Sequence, residues 1–230
     1  MRINKFLTQA NYCSRREADR LIEKGLVKIN DTVAQLGQQI ETGDRVFVGG
    51  KEVIMDKSEK IYLAYHKPVG IIWTTDTSKP DNIIDAINYP ERVYPIGRLD
   101  VASSGLILLT NDGEIVNKIL KGKNKIEKEY VVDVDKPVTE DKIQRLKKGI
   151  ILDGHKTLPA KIKKTDTKRF SITIVEGKNR QIRRMCEMVG WRVIRLHRVR
   201  IGGLRLGNIP AGSYKQIVNL HTLDFKKSNG

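Results

Sequence analysis

The chain has 230 residues, of which 39% are hydrophobic and 30% are charged, and this composition predicts a folded globular protein, not a disordered one. Its 43 Lys and Arg residues outnumber 27 Asp and Glu residues, which gives a formal net charge of +16 and favours a polyanionic partner such as nucleic acid. Two Cys residues far apart in the chain argue against a disulfide framework or a cysteine metal site, and no apolar run approaches the length that spans a membrane.

The same features give expectations about compartment and partners. No continuous apolar stretch follows the first charges, so no signal peptide is predicted. Cys13 and Cys186 lie in apolar helical contexts and are expected to be small, reduced core residues, which favours the cytoplasm. We expect no membrane partner, and a monomer, because the sequence has neither a heptad pattern nor a large apolar patch.

Residues 1–59 are predicted to form a small domain of two helices and a β-hairpin. Apolar residues recur at helical spacing between positions 3 and 10. Ser14, three residues before Glu17, is typical of a capping box, in which the hydroxyl accepts from the Glu17 amide and the carboxylate reaches back. The predicted elements are helices at 3–10 and 14–25 and strands at 27–30 and 45–48, with a polar linker at 55–60.

Residues 60–230 are predicted to form an α+β domain with a mixed, largely antiparallel sheet. Phe170, Ile172 and Ile174 alternate with other residues as in a half-buried strand, whereas residues 105–109 suit a fully buried one. The absence of a regular βα repeat argues against a doubly wound sheet. The predicted strands are 61–65, 105–109, 130–134, 170–174 and 191–201, the predicted helices are 81–87 (capped by Asp81), 115–120, 140–148 and 182–189, and residues 226–230 are expected to fray.

The segment most suggestive of chemistry runs from Gly97 to Gly113. It reads Gly-Arg-Leu-Asp-Val-Ala-Ser-Ser-Gly, then an apolar run, then Thr-Asn-Asp-Gly. Asp100 lies two residues after Arg98 and ahead of the apolar run, where a carboxylate can be both desolvated and paired with a cation, effects that move its pKa in opposite directions. From the residues alone, a loop salt bridge explains Asp100 better than catalysis does.

A run of arginines near the C-terminus forms a second feature. Between Lys178 and Arg200 the only acid is Glu187. A solvated face is the usual fate of a charge run, but arginine suits phosphates and base faces, so we interpret the run as a basic wall beside an active site. Asn179 and Gln181 can add hydrogen bonds to exposed bases. The seven arginines are Arg180, Arg183, Arg184, Arg192, Arg195, Arg198 and Arg200.

The N-terminal helices carry a third basic group, which can form one surface for RNA or can belong to a hairpin that merely packs on the second domain. None of the four histidines has a metal-ligand partner at a sensible spacing, so neither a metal site nor a catalytic histidine is predicted. The basic residues of this group are Arg2, Lys5, Arg15, Arg16, Arg20 and Lys24.

The sequence resembles the RsuA-type pseudouridine synthases, and within them the RluF-like subgroup. Four ordered motifs carry the resemblance: the block from Gly97 to Gly113, and the segments 66–70, 128–130 and 176–185. Residues 1–30 resemble the alpha-L RNA-binding motif of the S-four type. Trp73 departs from the pattern, because a smaller residue is expected there.

The resemblance implies roles for individual residues. Asp100 would be the nucleophile or base that breaks the glycosidic bond, Tyr130 would stack on the extruded base, and Arg183, or in second place Arg184, would pair with Asp100. Arg98 would fill the gap that the flipped nucleotide leaves or hold its phosphate. From the residues alone, Tyr130 suits a core position equally well. The implied RNA-binding residues are Arg98, Leu99, Val101, Asn179, Arg180, Gln181, Ile182 and Arg184, together with Arg2, Lys5, Ser14, Arg15, Arg16 and Lys28.

The predicted function is the isomerisation of uridine to pseudouridine in structured RNA, with large-subunit ribosomal RNA favoured. No cofactor is implied, because the isomerisation is redox-neutral, and no dinucleotide fingerprint or phosphate-cradling loop is present. The alternatives are a non-catalytic RNA-binding ribosome assembly factor and a transfer-RNA pseudouridine synthase.

Overall fold

The computed structural model describes residues 1–55, 59–76, 78–120 and 126–218. The predicted frayed tail and part of the predicted linker lie outside these residues. By its internal contacts the chain divides into two units, the first comprising Met1–Lys60 with Asn111–Gly113 and the second comprising Ile61–Thr110 with Glu114–Gly230. In the described residues no helix combines the length and the apolarity that crossing a membrane requires.

The first unit has the predicted helical hairpin and a small antiparallel sheet. Ser14 caps the second helix, because its Oγ accepts from the Glu17 amide at 3.2 Å. The reciprocal half of the capping box is replaced by an ion pair, in which the Glu17 carboxylate accepts from Arg20. The elements are α1 (Ile3–Gln9), α2 (Arg15–Glu23), β1 (Val27–Ile29), β2 (Thr32–Val33), β3 (Val46–Val48) and β4 (Lys51–Val53), and the sheet order is β2-β1-β3-β4.

The second unit confirms the predicted α+β class. Its helices are α3 (Ile83–Ile87), α4 (Gly113–Leu120), α5 (Glu140–Lys148) and α6 (Gln181–Met188). Its strands are β5 (Tyr62–Lys67), β6 (Tyr94–Ile96), β7 (Ser104–Thr110), β8 (Lys128–Val134), β9 (Ile151–Leu152), β10 (His155–Lys156), β11 (Lys161–Asp166), β12 (Arg169–Ile174), β13 (Val193–Ile201), β14 (Leu204–Arg205) and β15 (Tyr214–Gln216).

Nine of these strands form one mixed sheet in the described residues. Its path is β11-β12-β8-β13-β7-β5-β15, with β14 beside β13 and β6 beside β7. The pair β13–β7 is parallel and the other pairs are antiparallel. Both faces of β7 are covered, because Ile107 and Leu109 pack in one hydrophobic cluster and Leu106 and Leu108 in another. Burial on both faces explains why the strand predicted at residues 105–109 shows a continuous apolar run and no alternation with polar residues.

Two sequence predictions differ from the structure. Asp81 was expected to cap the short helix α3, but the cap is Asn82, whose Oδ1 accepts from the amides of Ile84 and Asp85. Asp81 instead adopts a left-handed φ of 52°. The second difference is a set of strands that the hydrophobic pattern did not reveal, because they have two or three residues or lie exposed at an edge: β2, β4, β6, β9, β10, β11, β14 and β15.

Gly105 permits the parallel contact between β7 and β13. Its φ is +111°, and a Cβ placed there would lie 2.2 Å from the carbonyl oxygen and 2.5 Å from the amide nitrogen of Arg198. Backbone atoms at these distances cannot move aside without breaking the register that pairs Arg198 with Gly105. A glycine is therefore required at this position both for its conformation and for its lack of a side chain.

We expect Gly105→Ala to lower the free energy of unfolding by about 3 kcal/mol or more, because it adds a backbone clash to a strained φ. Urea unfolding of the purified variant measures the effect. Gly154→Ala is the matched control: Gly154 has a φ of +75° with nothing within 4 Å of the added Cβ, so we expect a loss of about 1 kcal/mol. Equal losses in the two variants would contradict the close-approach argument.

Candidate active site

A cavity of about 410 Å³ opens beside the loop that precedes β7. The elements that form it are this loop, β8, β13, the end of β12 and the N-terminal end of α6. Among the lining residues Asp100 is the one acid, whereas five are Lys or Arg. The lining comprises Ile96, Gly97, Arg98, Leu99, Asp100, Ser103, Ile119, Lys128, Tyr130, Ile174, Gly177, Lys178, Asn179, Arg180, Gln181, Ile182, Leu196, Arg198 and Ile201.

The loop that carries Asp100 is held by cations that donate to its backbone. Lys67 Nζ donates to the carbonyl oxygens of Pro68, Ser103 and Asp100, at 2.9, 2.9 and 3.3 Å. Arg183 Nη2 donates to the Ala102 carbonyl at 2.8 Å. We call the segment from Arg98 to Ser103 the Asp100 loop.

Arg198 is the third cation of this group, and its Nη1 donates to the Arg98 carbonyl at 3.3 Å. Lys67, Arg183 and Arg198 expose only 0%, 7% and 3% of their surface. None of the three forms an ion pair with a carboxylate among the described residues. We call them the three loop cations.

Burial of these cations affects their acidity. It lowers the pKa of Lys67 from 10.5 to about 8, while the nearby Asp100 acts to raise it. Burial also lowers the pKa of Arg183, and Asp100 again opposes the shift. The Asp100 carboxylate is therefore close enough to stabilise both charges without forming an ion pair with either residue.

The predicted pairing of Arg183 with Asp100 is absent from the structure. The Arg183 guanidinium binds the carbonyls of Ala102 and Val193 and the Ser103 hydroxyl instead. No side chain of the described residues donates to the Asp100 carboxylate. Arg183 thus supports the loop from behind, and its side chain does not line the cavity.

Tyr130 lines the same cavity as Asp100 and is 7% exposed. Its strand β8 lies between β12 and β13, where it pairs with Ile172 on one side and Arg198 on the other. The Arg198 guanidinium carbon lies 6.0 Å from the centre of the Tyr130 ring. Tyr130 is thus a core aromatic, as one interpretation of the sequence predicted, and also a cavity residue.

Arg98 is exposed at the cavity mouth, and Trp73 holds its side chain. The Arg98 guanidinium carbon lies 5.1 Å from the centre of the Trp73 ring, a cation–π arrangement worth about 0.5–1 kcal/mol at an exposed site. The backbone carbonyl of Arg98 is bound by Arg198. The unexpected Trp73 therefore has a structural partner at the mouth.

The loop before α6 is ordered by Gln181. Its Oε1 accepts from the Lys178 amide at 3.0 Å, and its Nε2 donates to the Glu176 carboxylate at 2.6 Å. Gln181 was predicted to hydrogen bond to RNA, but its amide is buried and already used within the loop. Asn179 and Arg180 are exposed at the rim, and Arg180 adopts a left-handed φ of 46° as the cap of α6.

The predicted basic wall is smaller than the arginine run suggested. Arg180 and Arg198 line the cavity, whereas Arg184 forms two hydrogen bonds with Asp153, at 2.9 and 2.5 Å. Arg200 is neutralised by Glu127 and Glu129. These partners lie far from the run in sequence, so a count of nearby acids could not reveal them.

Some of the remaining predicted site residues line the cavity, and the others do not. Leu99 and Ile182 are buried and line the cavity, and Val101 is exposed but does not line it. The predicted RNA-binding residues of the first unit are outside this cavity and half-buried or exposed: Arg2, Lys5, Ser14, Arg15, Arg16 and Lys28.

The sequence did not indicate Lys67, Lys128 or Ser103 as site residues, and it indicated Arg198 only as one member of the arginine run. Each lines the cavity or binds the Asp100 loop. Lys67 was quoted only as part of a motif, although a lysine that ends an apolar strand is a signal of a buried cation. No group of three or more His, Cys, Asp or Glu in the described residues could hold a metal ion.

We expect the contribution of Lys67 to stability to rise with pH. As pH passes 8 the native state loses the Lys67 proton while the unfolded chain retains it up to about 10.5, so unfolding takes up a proton and becomes less favourable. The free energy of unfolding of the wild type, minus that of Lys67→Met, should increase by about 2 kcal/mol between pH 7 and pH 10. Lys148→Met, at an exposed position on α5, is the control, and a flat difference for Lys67 would contradict the prediction.

Comparison with known proteins identifies the family of the chain. A model of the RNA pseudouridylate synthase family matches residues 61–188, and an S4 domain model matches residues 1–46. The dual-specificity RNA pseudouridine synthase RluF of Escherichia coli K12 is 46% identical over 228 residues, which cover 99% of this chain and 79% of that protein. The ribosomal large subunit pseudouridine synthase B of Bacillus subtilis is 38% identical, with 94% and 91% covered.

A solved crystal structure of a pseudouridylate synthase matches the fold of the entire chain. It covers 98% of this chain and 100% of its own, with a TM-score of 0.72 and 30% sequence identity. The family model spans more than half of the 230 residues, and the resemblance expected from the four motifs is confirmed. The chain therefore belongs to the RNA pseudouridylate synthase family, with an S4 domain preceding the synthase segment.

Proposed function

We propose that this enzyme converts specific uridines of ribosomal RNA to pseudouridine, with Asp100 as its catalytic carboxylate. The observation that carries the proposal is that Asp100 and Tyr130 line one cavity with no other acid in its lining. The large-subunit RNA is the favoured substrate, because the Bacillus subtilis relative is named a ribosomal large subunit enzyme. A transfer RNA is the second candidate, to be distinguished by the substrate test below.

The proposed reaction begins at the N1–C1′ bond of a flipped-out uridine. Asp100 either attacks C1′ or removes the proton from C2′, and in both routes the electron pair of the N1–C1′ bond leaves with the uracil. The base then rotates and C5 bonds to C1′. In the first route this breaks the Asp100–C1′ ester bond, and in the second the proton returns to C2′. The hydrogen on C5 is then lost as a proton, and N1 takes one up. The free Asp100 carboxylate, with no donor from the described side chains, suits a nucleophile or base.

Tyr130 is proposed to contact the uracil ring and to take part in the proton transfers. It is 7% exposed and lines the cavity, which suits stacking or edge contact with a flipped base. Arg183 is proposed to act through the Asp100 loop, by holding the Ala102 carbonyl. Its role is therefore positioning, not direct pairing with the carboxylate.

Residues at the cavity mouth are proposed to bind the RNA around the target nucleotide. Arg98 is exposed and held against Trp73, so it is ready to fill the gap in the RNA stack or to bind a phosphate. Asn179, Arg180 and Lys178 provide further donors at the rim. These cations lie outside the apolar part of the cavity and suit the phosphate backbone.

The S4 domain is proposed to bind RNA through α1, α2 and β1. Arg2, Arg15, Arg16 and Lys28 are exposed, so their charges are available to phosphates. The Ser14 oxygen accepts from Glu17, which leaves the hydroxyl hydrogen free to donate. We further propose that the S4 domain comprises residues 1–59 and the catalytic domain residues 60–230, and that the enzyme is a cytoplasmic monomer.

Asp100→Asn should abolish isomerisation while leaving RNA binding nearly intact. An amide can neither attack C1′ nor accept the C2′ proton, so we expect the rate to fall by roughly 10³-fold or more. The Kd for RNA should change by less than about threefold, because the exposed cations provide most of the binding. The assay is tritium release from [5-³H]uridine in large-subunit ribosomal RNA and, in parallel, in transfer RNA.

Asp141→Asn, at an exposed position outside the cavity, is the control and should retain full activity. Tritium release by Asp100→Asn at the wild-type rate would remove Asp100 from the mechanism. Release by the wild type from transfer RNA but not from ribosomal RNA would reassign the substrate.

The double variant Arg15→Gln/Arg16→Gln should weaken RNA binding and flatten its salt dependence. If each arginine neutralises one phosphate, the slope of log K against log[salt] should decrease in magnitude by about 1.4–1.8. Filter binding at several salt concentrations measures the slope. Lys51→Gln, exposed on β4 of the same unit, is the control, and an unchanged slope in the double variant would place the RNA elsewhere.

A further inference from the structure

Arg198 is fixed in place at two of its three guanidinium nitrogens. Its Nε donates to the Leu106 carbonyl at 2.6 Å, and its Nη1 donates to the Arg98 carbonyl at 3.3 Å. Both acceptors are backbone atoms, one in β7 and one in the Asp100 loop. The guanidinium therefore cannot swing out of the cavity wall without breaking two buried hydrogen bonds.

The third nitrogen, Nη2, is buried and has no hydrogen-bond partner among the described residues. Arg198 itself is 3% exposed and lines the cavity. A buried donor left unsatisfied costs about 1–3 kcal/mol, and more when it is charged. A buried donor of this kind on a residue that lines the cavity can be completed by a ligand that enters it.

The surroundings of Nη2 favour a planar base over a phosphate. The guanidinium lies beside the Tyr130 ring, and three buried aliphatic residues, Leu99, Ile182 and Leu196, line the same cavity. Lys67 and Lys128 are also near it, since burial lowers the pKa of both and the charge of Arg198 lowers it further. A phosphate can bind the more exposed Lys178 and Arg180 at the rim without giving up its hydration. A uracil carbonyl oxygen offers the acceptor that Nη2 lacks, and its ring suits the apolar contacts.

We propose that Arg198 is a catalytic residue whose Nη2 donates a hydrogen bond to a carbonyl oxygen of the flipped uracil. The inference rests on the proposed function and adds a second charged group to its chemistry. When the N1–C1′ bond breaks, its electron pair stays on the uracil, and the negative charge spreads onto O2 and O4. A fixed cation at one of these oxygens stabilises that charge without reorganising at the moment of bond cleavage.

This role predicts a particular kinetic pattern. The charge on the carbonyl oxygen is larger in the transition state than in the bound substrate, so the hydrogen bond strengthens as the reaction proceeds. Arg198→Lys should therefore lower kcat by about 10²–10³-fold and change KM by less than about threefold. Arg195→Lys, an exposed position on the same strand that does not line the cavity, is the control and should retain the wild-type kcat.

The decisive experiment combines each enzyme with single-atom changes in the RNA. A ribosomal RNA fragment modified by the wild type is prepared with uridine, 2-thiouridine or 4-thiouridine at the target, or with a phosphorothioate on its 5′ side. Sulfur accepts hydrogen bonds weakly, whereas a thiocarbonyl eases departure of the base in both enzymes. Comparing the two enzymes cancels this shared effect and leaves the part of the sulfur effect that depends on the hydrogen bond from Arg198.

For each enzyme, kcat with the thiocarbonyl substrate is divided by kcat with uridine. At one of the two thiocarbonyl positions, this ratio should be smaller in the wild type than in Arg198→Lys by about fivefold or more. The phosphorothioate should affect both enzymes equally. Equal sulfur effects at both carbonyls in the two enzymes would overturn the proposal, since a merely structural Arg198 cannot sense one substrate atom. Coupling to the phosphorothioate alone would reassign Arg198 to the backbone phosphate and overturn it too.

Two further outcomes are an Arg198 variant that does not fold and a wild type that forms no pseudouridine. If Arg198→Lys does not fold, as judged by near-ultraviolet circular dichroism, Arg198→Gln takes its place in the same comparison, and equal sulfur effects in the two enzymes would again overturn the proposal. If the wild type forms no pseudouridine in any ribosomal or transfer RNA, the proposed function fails and this inference fails with it. If it forms pseudouridine but the sulfur effects are equal in the two enzymes, the proposed function stands and only the role of Arg198 is rejected.

Discussion

Three buried cations that bind backbone carbonyls, and not carboxylates, determine the geometry of this catalytic unit. Lys67, Arg183 and Arg198 each donate to the Asp100 loop. A buried charge is costly unless hydrogen bonds satisfy it, and here the loop carbonyls provide those bonds. The loop and the cations thus stabilise one another. The parallel contact between β7 and β13 belongs to the same arrangement, because Gly105 lets the strand of Arg198 lie against the end of the loop.

This arrangement explains why the cavity is positive although Asp100 faces it. An ion pair would have used one oxygen of Asp100 and one nitrogen of a cation, and would have cancelled both charges. With the cations bound to neutral carbonyls, their charge extends into the cavity, and the Asp100 carboxylate has no donor from the described side chains. A positive interior attracts a phosphate chain, while a free carboxylate keeps its nucleophilic oxygens available.

Much of the fold and the motif positions could be predicted from the sequence, because periodicity and caps are local. Helix α5 was predicted with its observed bounds, and the apolar run of β7 indicated a buried strand. Pairings between distant residues could not be predicted: Arg184 binds Asp153, and Arg200 binds two acids about 70 positions away. Arg198 was predicted only as one member of a basic wall, since nothing in its local sequence shows that it is buried and bound to the Asp100 loop.

Phosphate binding by exposed cations and base contact by a buried cation would differ in physical character. In the proposed function, exposed arginines such as Arg15 and Arg180 bind phosphates in a solvated setting, so their contribution falls with added salt and carries little information about the base. Arg198 is buried and fixed by two carbonyls, so its proposed interaction is screened far less and depends on the position of one acceptor atom. Salt should therefore weaken RNA capture while leaving the bond-breaking step nearly unchanged, because the groups that stabilise that step are already desolvated in the folded protein.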